Sequence, residues 1–115
     1  YKLDNFCAII DNNGLQIDGD VAKVMNPYPI AEKLRAFGFA VAEIDGNDFD
    51  QLEAAFTLAR GTKGVPFAIV MKTVKGKGVS YMENNAGWHG KAPNDEEYET
   101  AMKELRAQLA EVEAM

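Results

Sequence analysis

At 115 residues with 47 % hydrophobic side chains, the chain has the size of one modest globular domain with a small core. Its formal net charge of -6 excludes nucleic acid and an anionic membrane surface as partners, because both select for excess lysine and arginine. A single cysteine excludes an internal disulfide, and one histidine and one cysteine far apart argue against a four-ligand zinc site.

Three apolar runs, FCAII (6–10), FAVAEI (39–44) and PFAIVMKT (66–73), are each bounded by Gly, Asn, Asp or Pro. They are nearly continuous rather than alternating, which predicts strands buried on both faces, with Cys7 a small buried hydrophobe in the first. Between them, PIAEKLRAFG (29–38) predicts a helix with Pro29 near its first turn and Gly38 as its stop. NDFDQLEAAFTLARG (47–61) predicts a second, capped by Asn47 or Asp48, with Phe49, Leu52, Ala55, Phe56 and Ala59 on one face. Strand, helix, strand, helix, strand implies right-handed crossovers, so the expected fold is α/β: a parallel sheet with helices on both faces.

Residues 74–94, VKGKGVSYMENNAGWHGKAPN, form a long loop rich in glycine and asparagine, and loops of this length in compact domains are often functional. The chain closes with an amphipathic helix capped at Asn94 or Asp95, acidic in its first turn, with Tyr98, Met102, Leu105 and Leu109 on one face. No basic-then-apolar leader and no apolar run of about 18 residues is present, so the cytoplasm is the expected compartment. The opening YKLDN leads straight into a buried strand, and three strands alone leave sheet edges bare. The expectation is that residue 1 is not the start of the domain.

The stretch DNNGLQIDGD (11–20) has the composition of a calcium loop, but Leu15, Gln16 and Ala22 stand where an EF-hand beginning at Asp11 needs an oxygen ligand, glycine and glutamate. Placed at the carboxyl end of the first strand, the same stretch points into the crevice where open α/β sheets bind ligands. There Asn13 can offer an amide oxygen, and a backbone carbonyl two residues on another, to magnesium held by phosphate oxygens. A tight turn, with Asn and Gly in left-handed conformations, also accounts for these residues. His89, between Trp88 and Gly90, suits a phosphate donor or an acid–base group, and equally a solvated loop histidine. KGKG (75–78) offers cations and a flexible backbone for phosphate but is no Walker sequence, and also suits a plain surface lysine pair.

Taken together and in this order, IIDNNGLQIDG, KTVKGKG and GWHGKAPN resemble the thiamine-diphosphate-binding domain of transketolases, in particular the N-terminal subunit of split transketolases. The resemblance implies an enzyme that moves a two-carbon ketol unit between sugar phosphates with thiamine diphosphate and Mg2+. It implies that the Asn13 amide and the Leu15 carbonyl hold the metal, that Ile17 touches the cofactor ring, and that His89 approaches the diphosphate and the donor substrate. The family's Gly-Asp-Gly sequence, which precedes this asparagine by one strand and supplies the metal carboxylate, is absent, and HGKAPN carries a lysine where HGAP is commoner. The chain therefore resembles the C-terminal part of the cofactor domain, residues 1–115, inactive alone and completed by a companion polypeptide in an oligomer. Two alternatives share these residues: a 1-deoxyxylulose-5-phosphate synthase-like enzyme, with a similar KGKG loop, and a non-catalytic α/β interaction module.

Overall fold

Three parallel strands organise the molecule, and the computed structural model describes all residues 1–115. Strands β1 (Cys7–Asn12), β4 (Ala40–Asp45) and β5 (Phe67–Lys72) form one sheet in the order β1-β5-β4. Their register is in step, with Ile9 beside Ile69 and Ala42 beside the same residue. Between β1 and β4 lie a two-stranded antiparallel ribbon, β2 (Leu15–Gln16) with β3 (Gly19–Asp20), a single turn of helix α1 (Val21–Val24), and α2 (Ile30–Ala36). Helix α3 (Phe49–Gly61) joins β4 to β5, and α4 (Asp95–Glu113) closes the chain after a short 3-10 turn at Ala86–Trp88.

Capping residues set the helix starts. Asp48 accepts from the amides of Asp50 and Gln51 and so begins α3. Asn94 and Glu97 form a reciprocal capping box at the start of α4, each side chain accepting from the other's backbone N–H. Gly38 takes φ +86° just beyond α2, the left-handed turn that lets the chain drop into β4.

The two crossover helices cover opposite faces. Ala55 and Ala59 of α3 pack on Phe67, Ile69 and Met71 and on Ala40, Ala42 and Ile44. Residues of the other parity face α2, whose Arg35 pairs with Glu43 at 3.0 Å.

Only the central strand β5 is buried on both faces. Strand β1 alternates instead: Ala8 and Ile10 are half-buried, whereas Cys7 and Ile9, on the α3 side, are exposed because α3 lies over β4 and β5. The expectation of a two-sided β1 with a buried cysteine is thus corrected. In α3, Phe49 is also exposed, and Tyr98, Leu105 and Leu109 of α4 face solvent. The result is a slab of 51 × 40 × 16 Å with a radius of gyration of 17.4 Å, against about 13 Å for a compact chain of this length. Its accessible surface of 8179 Å² likewise exceeds the roughly 6,200 Å² of a folded monomer of this mass.

Candidate functional site

At the carboxyl ends of β1 and β5 the chain leaves the sheet in two loops, and these loops enclose a cleft of about 300 Å³. Its lining is Asn13, Leu15, Gln16, Ile17, Lys75 and His89. All four residues singled out by the resemblance, Asn13, Leu15, Ile17 and His89, therefore meet in one place, although His89 lies far along the chain from the others.

The first loop is a tight, self-bonded turn. Asn13 Oδ1 accepts from Leu15 N–H at 2.9 Å, Gly14 takes φ +74°, and the Gly14 carbonyl accepts from Val21 N–H at 2.9 Å. This is the turn chemistry expected of Asn-Gly, and it still leaves the Asn13 oxygen one free lone pair. From outside, the Tyr28 hydroxyl donates to Asn12 Oδ1 at 2.9 Å and ties this loop to the segment before α2. Ile17 stands 67 % exposed at the cleft, an apolar surface open to a ligand.

The second loop supplies donors. Lys75 is half-buried in the lining and makes no ion pair, whereas Lys77 of the same KGKG stretch pairs with Glu83 at 3.8 Å. Asn84 N–H donates to the Lys75 carbonyl at 3.0 Å and closes the loop over Gly76. Gln16 Nε2 is buried without a hydrogen-bond partner, the one side-chain polar atom in the chain left so. An unpaired amine, a buried unpaired amide and an imidazole among the residues lining one cleft suit the oxygens of a phosphate group. Gln16 gave no signal in the sequence, because a glutamine between apolar neighbours reads as solvent-facing; Lys75 was visible only as part of KGKG.

Nowhere in the chain do three carboxylate, imidazole or thiol groups converge on a metal position. What this cleft can offer a hard cation is neutral oxygen, from Asn13 and the backbone, and such ligands fit magnesium when phosphate oxygens share the ion.

Behind the cleft, α4 braces the His89 loop. The Trp88 indole donates to the Tyr81 carbonyl at 3.0 Å, and the Tyr81 hydroxyl donates to the Glu97 carbonyl at 2.7 Å. Ser80 N–H donates to Glu104 at 2.7 Å, and Gln108 donates to the Gly78 carbonyl at 2.8 Å. The Asn94 amide and then Lys91 hold the Glu97 carboxyl below the usual range, and the Ser80 hydroxyl and amide do the same for Glu104. Desolvation, followed by the nearby charges of Glu97 and Glu104, raises the Tyr81 phenol.

A parallel α/β sheet with a phosphate-suited cleft at its carboxyl edge defines a cofactor-binding α/β domain. The chain belongs to the transketolase family: the family's thiamine diphosphate binding domain matches residues 1–111. It is 40 % identical over 113 residues to one subunit of the apulose-4-phosphate transketolase of Phocaeicola vulgatus, covering 98 % of this chain and 40 % of that protein. It is 36 % identical over 110 residues to human transketolase, of which it covers 17 %. The crystal structure of transketolase from Campylobacter jejuni superposes with a TM-score of 0.80 at 33 % identity, over 89 % of this chain and 16 % of that one. The chain thus spans two fifths of the length of the Phocaeicola vulgatus relative. No helix is long and apolar enough to cross a membrane.

Proposed function

We propose that this chain supplies the C-terminal part of the diphosphate site of a transketolase, an enzyme that moves a two-carbon ketol unit between sugar phosphates. The observation that carries the reading is the convergence of Asn13, Leu15, Ile17, Lys75 and His89 on one cleft. Thiamine diphosphate, when bound, supplies the electron sink that carbon–carbon cleavage beside a carbonyl requires.

The chain's own residues anchor and orient. Asn13 Oδ1 and the Leu15 carbonyl would hold Mg2+, and the bond from the Leu15 N–H to Asn13 Oδ1 ties the Asn13 side chain to the Leu15 backbone. Lys75 and the Gln16 amide donate to phosphate oxygens. Ile17 covers the ring and keeps water from it. His89 donates to the diphosphate and stands as the acid–base group for the donor substrate.

The metal carboxylate and the aminopyrimidine-facing part of the site lie outside residues 1–115, and a companion subunit is in keeping with the Phocaeicola vulgatus relative being named as one subunit of its enzyme. The exposed face of β1 and the excess surface of the slab favour such a partner. The chain alone is accordingly inactive, and the active form is an oligomer.

Turnover measured on the chain alone and mixed with its companion tests the proposal. Expected is no turnover alone, and turnover of a ketose phosphate with an aldose phosphate in the mixture. Turnover by the chain alone contradicts the shared site, and a preference for pyruvate as donor contradicts the transketolase reaction.

A further inference from the structure

We infer that Lys91 is a positioning residue, which with Glu97 and Trp88 fixes the turn that carries His89 into the cleft. The inference rests on the reading of His89 given above. Two ties flank that histidine. On one side, Trp88 is locked by its indole hydrogen bond to the Tyr81 carbonyl at 3.0 Å and by ring packing on Tyr81, with centroids 5.1 Å apart. On the other, Lys91 Nζ lies 4.0 Å from the centre of the Trp88 ring and 3.1 Å from Glu97 Oε1. The ammonium therefore bridges the residue before His89 and the first turn of α4.

Glu97 is itself fixed at every polar point. Its Oε2 accepts from Asn94 N–H at 2.8 Å, its N–H donates to Asn94 Oδ1 at 2.8 Å, and its carbonyl accepts the Tyr81 hydroxyl at 2.7 Å. Between the two ties stands Gly90 at φ +75° with open space around it, so local packing at that residue does not hold the turn. Lys91 does not line the His89 cleft; it lines a separate groove with Trp88 and Glu97 behind it. Its effect on a ligand at the cleft has to pass through His89. The lysine inserted after His-Gly thereby converts a hinge into a fixed turn.

A half-exposed ion pair and a half-exposed cation–π contact are each modest, so release of the clamp should weaken ligand binding by about three- to tenfold. The experiment is titration of the assembled protein, chain plus companion, with thiamine diphosphate in the presence of Mg2+. The variants are Lys91→Met, which keeps the alkyl stem over Trp88 and removes the charge, Lys91→Arg, His89→Ala and the Lys91→Met/His89→Ala pair. Glu97→Gln serves as a second probe, because glutamine also completes a capping box and so preserves α4.

Expected are a weakening of about three- to tenfold in Lys91→Met and Glu97→Gln, recovery to within about twofold in Lys91→Arg, and no further loss when Lys91→Met is added to His89→Ala. Equal losses from Lys91→Met in both backgrounds mean that the lysine acts independently of His89 and overturn the inference, as does unchanged affinity in both Lys91→Met and Glu97→Gln. Unchanged affinity in His89→Ala is a different failure: it removes His89 from the site and takes the functional reading with it.

Discussion

Substituting Asn13 separates a turn from a ligand. In Asn13→Ala the Leu15 N–H loses its acceptor, a part-buried hydrogen bond of 2.9 Å. That costs about 1 kcal/mol net, which for a domain of this size lowers the melting temperature by about 4 °C. If Asn13 is only a turn residue, the loss ends there. If its oxygen also holds Mg2+, the substitution deletes one ligand and loosens the segment that carries the other, the Leu15 carbonyl. Loss of outer support alone weakens metal sites by about 10- to 100-fold, so thiamine diphosphate affinity in Mg2+ should fall by at least about tenfold. Asn13→Asp retains an acceptor for Leu15 N–H and an oxygen for the metal, so it should restore both melting temperature and Mg2+-dependent binding. Thermal melts and calorimetric titration of the assembled protein provide both readouts. A drop in melting temperature with cofactor affinity unchanged in Asn13→Ala refutes the metal assignment and leaves the turn.

Three further outcomes follow from the geometry, and a fourth from the carboxylates. Gly76→Ala places a Cβ 2.6 Å from the Met82 carbonyl oxygen at φ +72°, so a loss of about 2–4 kcal/mol and displacement of Lys75 from the cleft are expected in melts and cofactor titration. Gly61→Ala, which meets nothing within 4 Å at the end of α3, should leave both readouts unchanged or slightly improved. Ile69→Ala empties the one large side chain that is fully buried, and chemical denaturation should show a loss of about 2–5 kcal/mol. Hydrogen bonds lower the Asp48, Glu97 and Glu104 carboxyls in the folded state, so the stability they give is complete above the ordinary carboxylate range of about 4 and is lost as pH falls through their own lower values. Melting temperature should hold from neutral pH down to that range and fall below it. Glu104→Gln should flatten part of the fall, and an unaltered acid limb contradicts the role of the Ser80 contact.

The three strands were legible because Phe, Ile, Val and Ala runs between Gly, Pro and Asn leave little else to build: runs at 6–10, 39–44 and 66–73 became Cys7–Asn12, Ala40–Asp45 and Phe67–Lys72. The caps were legible for the same local reason, and the structure selects Asp48 over Asn47 and Asn94 over Asp95. Burial was not legible. Whether Cys7 and Ile9 are covered depends on where α3 crosses the sheet, and the strand's own composition carries no information about that. The same holds for Tyr98 and Leu105, whose amphipathic spacing reveals a face but not what packs on it. The β2–β3 ribbon has two residues per strand, too short for any period to register. Within the cleft, Asn13 and His89 stood out by residue type and motif, while Gln16 emerged only once its amide was seen buried and unpaired.

If this chain contributes one half of a shared magnesium–diphosphate site, cofactor binding depends on both the companion and the metal. Calorimetric titration of thiamine diphosphate into the chain alone, into the chain with its companion, and into that mixture after chelation of Mg2+ measures both dependences at once. Expected are saturable binding in the mixture, its loss on chelation, and weak or no binding by the chain alone. Equally tight binding by the chain alone, or binding in the mixture that is indifferent to chelation, contradicts a shared site.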